Sequence, residues 1–299
     1  MCQSEEQSIL EEFTPAFYVK EPISPLTPFV FCSPHSGSKY SRYFLRKSRL
    51  ESRSLRKSED LYVDDLFSRA AAQGAPLIAA LFPRAYVDVN REPYELDPEL
   101  FSENLPDWAN ARSIRVAGGL GTIARLVGDG EEIYDEPLFL KDALFRIEKL
   151  YKPFHNSLNS LIERAQNLFG YSILIDCHSM PSGQTSGSTY GKPDFVIGDR
   201  FGTSCDKRLT RYVQNLLNQL GYVVQVNRPY AGGYITEHYG KPRHGFHSLQ
   251  IEVNRGLYVD EKSFQKKQEF SLLEKNLVCM AKNLFLEIPL LMERRSAAE

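Results

Sequence analysis

The stretch YSILIDC (171–177), followed at once by His178 and Ser179, decides how the chain is read. Seven residues rich in aliphatic and aromatic side chains are too few for a core helix and fit a buried strand. A long amphipathic stretch at 137–169 precedes this run, and a polar, Gly-rich loop at 179–193 follows it. The same cycle recurs along the chain. Strands are expected at FVFCS (29–33), PLIAALF (76–82), YVDV (86–89), PDFVIG (193–198), YVVQV (222–226) and SLQIEV (248–253). Helices are expected over 58–73, 137–169, 203–220 and 264–285, the third opening on small capping residues and closing at Gly221. Such alternation predicts an α/β fold. No charge block or low-complexity linker divides the chain, so one domain over 1–299 is expected, with its core at about 25–290. Two irregular excursions, 92–135 and 179–193, are long enough to expect a functional role.

Composition narrows the function classes. Of 299 residues 42% are hydrophobic and 25% charged, which excludes a disordered chain. Thirty-six Lys and Arg against 38 Asp and Glu leave a net charge of -2, so there is no basic field to hold nucleic acid. The five cysteines lie far apart without a C-x-x-C pair, as expected of reduced, intracellular thiols. The acidic first residues do not resemble a signal peptide, and no apolar run reaches the roughly 18 residues that span a bilayer. A cytoplasmic protein without a membrane partner is expected.

Two histidines end strands. His35 in CSPHSG and His178 in DCHSM each follow an apolar run, and neutral imidazole is the commonest protein ligand for zinc. Each could equally be a hydrogen-bonded ring in a turn. A catalytic zinc also needs a carboxylate. On a helix over 58–73, Asp60 shares a stripe with Val63, Phe67 and Ala70, so it either meets a cation or complements the helix N-terminus. Asp64 lies one turn on, and Asp176 could orient the imidazole of His178.

In SLQIEV, Gln250, Glu252 and Asn254 alternate with Leu249, Ile251 and Val253. Glu252 is thus a candidate general base, or a solvent-facing glutamate on a half-exposed strand. The segment RPYAGGYITEHYGKPRHGFHS reads as an active-site loop, with Gly232 and Gly233 permitting close backbone approach and His238, His244 and His247 crowded together. In DVNREPY, QVNRPY and EVNRGLY an apolar strand closes on Val-Asn-Arg, either a coincidence of strand ends or a set of guanidinium forks at one sheet edge that suit a carboxylate ligand. Dinucleotide, P-loop and nucleophile-elbow motifs do not occur.

These segments resemble the N-formylglutamate amidohydrolase family. PHSG (34–37), EDLYVDDLF (59–67), RAYVDVNREP (84–93), GLGTIARLVGDGEEIY (119–134), DCHSMP (176–181), DFVIGDRFG (194–202), NRPYAGGYITEHYGKP (227–242) and HSLQIEVNRGLY (247–258) occur in family order across about residues 30–260. The resemblance implies a phosphorylase/hydrolase-like three-layer α/β/α fold on a mixed central sheet, as in zinc carboxypeptidases. It also implies one catalytic zinc and hydrolysis of an N-acylated acidic amino acid such as N-formyl-L-glutamate, giving formate and glutamate, a step of histidine degradation. His35, Asp60 and His178 match the metal ligands, with Asp60 preferred over Asp64. Zinc carboxypeptidases carry a glutamate three residues after their first histidine, where this chain has Ser38. Glu252 corresponds to the base. Asn90 and Arg91 would hold a substrate carboxylate, Arg84, Arg228 or Arg255 a second one, and Gly233 and His238 would line the substrate site. A zinc amidase for another N-acyl amino acid and a non-catalytic carboxylate-binding homologue are the alternatives. The expected partner is a small molecule bound by a monomer or homodimer.

Overall fold

A computed structural model describes residues 3–23, 26–128, 130–183 and 192–296. Seven strands form the main sheet: β1 (Phe17–Lys20), β2 (Phe29–Ser33), β3 (Leu77–Ala80), β4 (Ser172–Met180), β5 (Phe195–Gly198), β6 (Val224–Val226) and β7 (Phe246–Asn254). Their order across the sheet is β1-β3-β2-β4-β7-β5-β6. β4 runs parallel to both β2 and β7, whereas β5 is antiparallel to β7 and parallel to β6. The sheet is therefore mixed and the fold α/β, as expected. No helix among the described residues is long and apolar enough to cross a membrane.

The chain resolves into two compact units. One comprises Val19–Ser33, Asp60–Ile78 and Asn159–Glu299. Its core joins one face of the sheet to three helices, α1 (Val63–Ala71), α3 (Lys207–Gln219) and α5 (Phe270–Ser296). Leu66, Phe67 and Ala70 of α1, Leu209, Val213 and Leu217 of α3, and Leu277, Met280 and Leu284 of α5 pack with Ile173, Ile175 and Cys177 of β4 and Leu249, Ile251 and Val253 of β7. A further helix, α2 (Lys152–Phe169), lies between α1 and α3 in the chain.

That other unit comprises Met1–Tyr18, Pro34–Glu59 and Ala79–Leu158. Aromatic rings fill its core: Phe13 meets Phe82 and Tyr86, and Phe44 meets Tyr86 and Tyr134. Arg146 is fully buried among them. Its Nη1 donates to Tyr86 O at 3.0 Å and to Tyr134 Oη at 2.8 Å, and its guanidinium lies 4.1 Å from the Tyr86 ring centroid. The single helix expected over 137–169 is helical throughout from Leu140 but passes through a π-helical turn at Ile147–Tyr151 before α2. That turn and the start of α2 hold the irregular backbone beside them: Tyr151 Oη donates to Arg91 O at 2.6 Å, and His155 Nε2 of α2 donates to Val89 O at 2.8 Å.

Three sequence expectations are corrected. YVDV (86–89) is not a strand, because Tyr86, Val87, Asp88 and Val89 are all buried and the Asp88 carboxylate takes over the satisfaction of donors around it. The helix expected from 58 starts at Val63, since Tyr62 is left-handed (φ 58°), so Asp60 sits in the turn ahead of the helix rather than on its stripe. The last helix spans Phe270–Ser296 and carries Pro289 inside it. Of the loop read at 179–193, residues 184–191 lie outside the described residues.

Candidate active site

Parallel pairing of β4 with β7 sets Asp176 beside Gln250 and His178 beside Glu252. Side chains alternate along a strand, so these four share the face opposite Ile175, Cys177, Leu249 and Ile251. All four are buried. The alternation that suggested a half-exposed strand is instead the alternation between an apolar face and a buried polar one.

The His178 ring lies between two carboxylates. Its Nε2 is 2.9 Å from Asp176 Oδ1 and its Nδ1 is 3.0 Å from Asp60 Oδ2. Asp60 is fixed from behind: its Oδ1 accepts from Arg255 Nη2 at 3.0 Å and from Ser179 Oγ at 3.2 Å, while Arg255 Nε donates to Ser179 Oγ at 2.9 Å. Burial disfavours a charged His178, but Asp176 and Asp60 outweigh it and raise the imidazole well above its ordinary value. Glu252 is raised to about 7, chiefly by burial; His178 pulls it down, and Asp60 and Asp176 push it further up.

A short polar chain connects these groups to the Gly232-Gly233 loop. Gln250 Oε1 accepts from Gly233 N at 2.7 Å, and its Nε2 donates to Glu252 Oε1 at 2.8 Å. Thr236, in the short helix α4 (Tyr234–Tyr239), donates from Oγ1 to Asp176 Oδ2 at 2.9 Å. Only a glycine fits at position 198 of β5, where a Cβ would stand 2.6 Å from Gly232 N and 2.7 Å from Ala231 C.

In the other unit, His35 follows two residues after the end of β2. Its Nε2 lies 2.7 Å from Asp88 Oδ1. Asp88 also accepts from Asn90 N at 2.8 Å and from Arg84 Nη2 at 2.8 Å, with Arg91 Nη2 at 3.6 Å. Burial alone would raise its pKa, but Arg84, Arg91 and His35 hold the carboxyl well below its usual range. Arg91 itself donates to Leu120 O and Asn90 O, both at 2.8 Å.

His35, Asp60 and His178 are a group that could hold a metal ion: all three are buried, and each offers one ligand atom, the three lying within 4.8 Å of one another. Two imidazoles and one carboxylate are the donor set of a catalytic zinc that keeps a position open. Charge bookkeeping within the larger unit points the same way. Asp60, Asp176 and Glu252 are buried carboxylates against the Arg255 guanidinium and one imidazole, and buried negative charge is costly without a cation. With Nε2 of His35 at Asp88 and Nε2 of His178 at Asp176, Nδ1 is the ring nitrogen of each that suits a cation, and each ring is oriented by a carboxylate in the way metal-binding histidines commonly are.

The remaining candidates divide. Asn90, Arg91 and Arg255 are buried and engaged in the contacts above, Arg84 is half-buried, Arg228 is exposed, and Gly233 is the donor to Gln250. His238 is exposed and stacks on Tyr234 with centroids 4.9 Å apart. His244 is exposed, and His247 accepts from Asp206 N at 3.1 Å, at the start of α3. Asp64 is half-buried on α1. Asp88 and Thr236 were missed by sequence reasoning, and Gln250 was read only as a polar residue beside Glu252. A lone acid in the apolar run AYVDV is the signal that would have pointed to Asp88.

Known proteins resemble this chain over most of its length. The family model described as N-formylglutamate amidohydrolase matches residues 27–259. An N-formylglutamate deformylase of Pseudomonas putida is 28% identical over 237 residues, covering 78% of this chain and 82% of the relative. The crystal structure of an N-formylglutamate amidohydrolase from Ralstonia eutropha JMP134 superposes with a TM-score of 0.86 at 32% identity, covering 93% of this chain and 99% of that one. A protein of Agrobacterium tumefaciens, at 16% identity and a TM-score of 0.65 over 91% and 96% of the two chains, shares the fold. A match over that span means that the chain belongs to the N-formylglutamate amidohydrolase family.

Proposed function

We propose that this protein is a zinc-dependent deformylase that hydrolyses N-formyl-L-glutamate to formate and glutamate. The observation that carries this reading is the buried His35, Asp60 and His178 group, in a member of this family whose Glu252 pairs in register with His178. His35, Asp60 and His178 would hold the ion. When bound, zinc supplies a Lewis acid for the formyl carbonyl and lowers the pKa of nearby water.

The chain's own residues supply the proton handling. Glu252, buried and held by Gln250, accepts a proton from the attacking water as the new C–O bond forms at the formyl carbon. It then delivers that proton to the amine nitrogen as the C–N bond breaks. Asp88 and Asp176 fix the rings of His35 and His178. Arg91 and Arg255 act by holding the backbone at Asn90 and the carboxylate of Asp60. In this reading Arg84 and Arg228, the more exposed arginines, bind the two substrate carboxylates, with Asn90, Gly233 and His238 along the substrate path. The step belongs to histidine degradation in the cytoplasm.

The test is metal analysis followed by a hydrolysis screen of N-formyl, N-formimino, N-acetyl and N-succinyl amino acids. One zinc per chain, preference for N-formyl-L-glutamate, and loss of turnover with zinc retained in Glu252→Gln are expected. Ligand binding without zinc and without turnover on any substrate would instead identify a carboxylate-binding homologue.

A further inference from the structure

Gln250 sits where two strands and a loop meet, and the chemistry of its neighbours fixes which way its amide points. The backbone N–H of Gly233 can only donate, so the side of the amide facing it at 2.7 Å is the oxygen. The NH₂ is therefore turned to Glu252 Oε1, 2.8 Å away. Thr236 does not compete for this orientation. Its Oγ1 lies 2.9 Å from Asp176 Oδ2 and 3.4 Å from Gln250 Oε1, and its one proton goes to the nearer, charged acceptor. Gln250 is buried, so neither end of its amide is easily exchanged for water.

We infer that Gln250 is a positioning residue for the reaction: locked by Gly233, its amide donates to Oε1 of Glu252 and leaves Oε2 as the oxygen that takes up and returns the proton. The inference rests on the hydrolytic reading above and extends it, because it makes the Gly232-Gly233 loop responsible for the aim of the base. A donor on one carboxylate oxygen favours the ionised form and prevents the group from rotating between two equivalent poses. Other charged groups that act on Glu252 are His178, Asp60, Asp176 and Arg255.

The decisive variant is Gln250→Glu, which keeps size and keeps an acceptor for Gly233 N but replaces the donor to Glu252 by a second carboxylate oxygen. Two readouts are needed. In the metal-free full chain, the ¹³C carboxyl resonance of Glu252, identified by its absence in Glu252→Gln, is expected to titrate about one pH unit higher or more in Gln250→Glu than in the unaltered protein. In the zinc-loaded enzyme, kcat on N-formyl-L-glutamate is expected to fall roughly 10- to 100-fold while KM stays within about threefold and zinc content is unchanged. Gln250→Ala should lower kcat in the same way with a smaller upward titration shift, since it removes the donor to Glu252 without adding a second carboxylate. An unmoved Glu252 titration overturns the contact, and a moved titration with unaltered kcat overturns its role in the reaction. Absence of turnover by the unaltered protein on every N-acyl amino acid sinks the hydrolytic reading instead, and the titration still decides whether Gln250 governs Glu252.

Discussion

Two buried carboxylates, Glu252 and Asp88, are driven in opposite directions by what surrounds them. Glu252 is raised from 4.5 to about 7, chiefly by burial, so the folded state holds its proton more tightly than the unfolded chain does. Its contribution to stability is therefore complete below about pH 4.5 and is lost as pH rises through about 7. In the metal-free protein that loss is on the order of 3 kcal/mol, and melting curves between pH 4.5 and 8 should show it shrinking in Glu252→Gln. Identical pH slopes for the two proteins would contradict the assignment. Asp88 has the opposite sign: with its pKa depressed by Arg84, Arg91 and His35, its contribution is present above the ordinary carboxylate range and is lost as pH falls through the folded value. Asp88→Asn removes that acid sensitivity and leaves two arginines without their shared anion. We expect it to lower the melting temperature at pH 7 and to weaken zinc affinity about 10- to 100-fold through the loosened His35 ring; zinc titration against a chromophoric chelator measures the second effect.

At the scale of elements, the site depends on how closely β5 and the 231–233 loop approach. A methyl group at position 198 would stand 2.6 Å from Gly232 N, closer than atoms pack, and the obstacle is backbone rather than a side chain that can swing away. Gly198→Ala should therefore push the loop off Gln250 and cost more than tenfold in kcat/KM, whereas Gly170→Ala, whose added Cβ meets nothing, should leave kcat/KM within about twofold and test only the left-handed backbone there. Comparable kinetics in the two variants would show that the loop does not govern the site. The same elements show what a sequence discloses. β2, β4 and β7 were legible because each is an uninterrupted run of apolar or alternating residues, buried at every position but Phe246, and His35, His178 and Glu252 were legible because they punctuate those runs. YVDV misled because Val-Asp-Val imitates a strand's period, while in the fold its carboxylate gathers donors from His35, Arg84 and Asn90 and the backbone stays irregular. Asp60 was found for a wrong reason: the helical stripe that singled it out does not exist at that position, and the residue reaches His178 from the turn before α1. Asn-Arg at 90–91 and at 254–255 read as carboxylate forks, but buried guanidinium groups there are spent on Leu120 O, Asn90 O, Ser179 and Asp60, which no spacing rule could reveal.

At the scale of the whole molecule, the proposed ligands stand at positions 35, 60 and 178, so an unfolded chain has no means of presenting them together. Zinc would then bind the folded state alone, the condition under which a ligand stabilises by RT ln(1 + [L]/Kd). At free zinc a hundredfold above Kd the gain is about 2.7 kcal/mol, which for a chain of this size corresponds to a rise of roughly 5 °C in melting temperature. The rise should grow with the logarithm of zinc concentration, disappear on addition of a chelator, and be absent with magnesium, a harder ion that prefers oxygen ligands to imidazole. His178→Ala removes a donor contributed by the centre of the sheet and should abolish the zinc-dependent rise even where the variant remains folded. Lys262→Ala, an exposed change on the same unit, should retain it in full. A melting temperature indifferent to zinc in the unaltered protein would mean that His35, Asp60 and His178 do not share a zinc ion, and the buried negative charge around His178 would then be balanced by Arg255 and by protons on His178 and, in part, on Glu252.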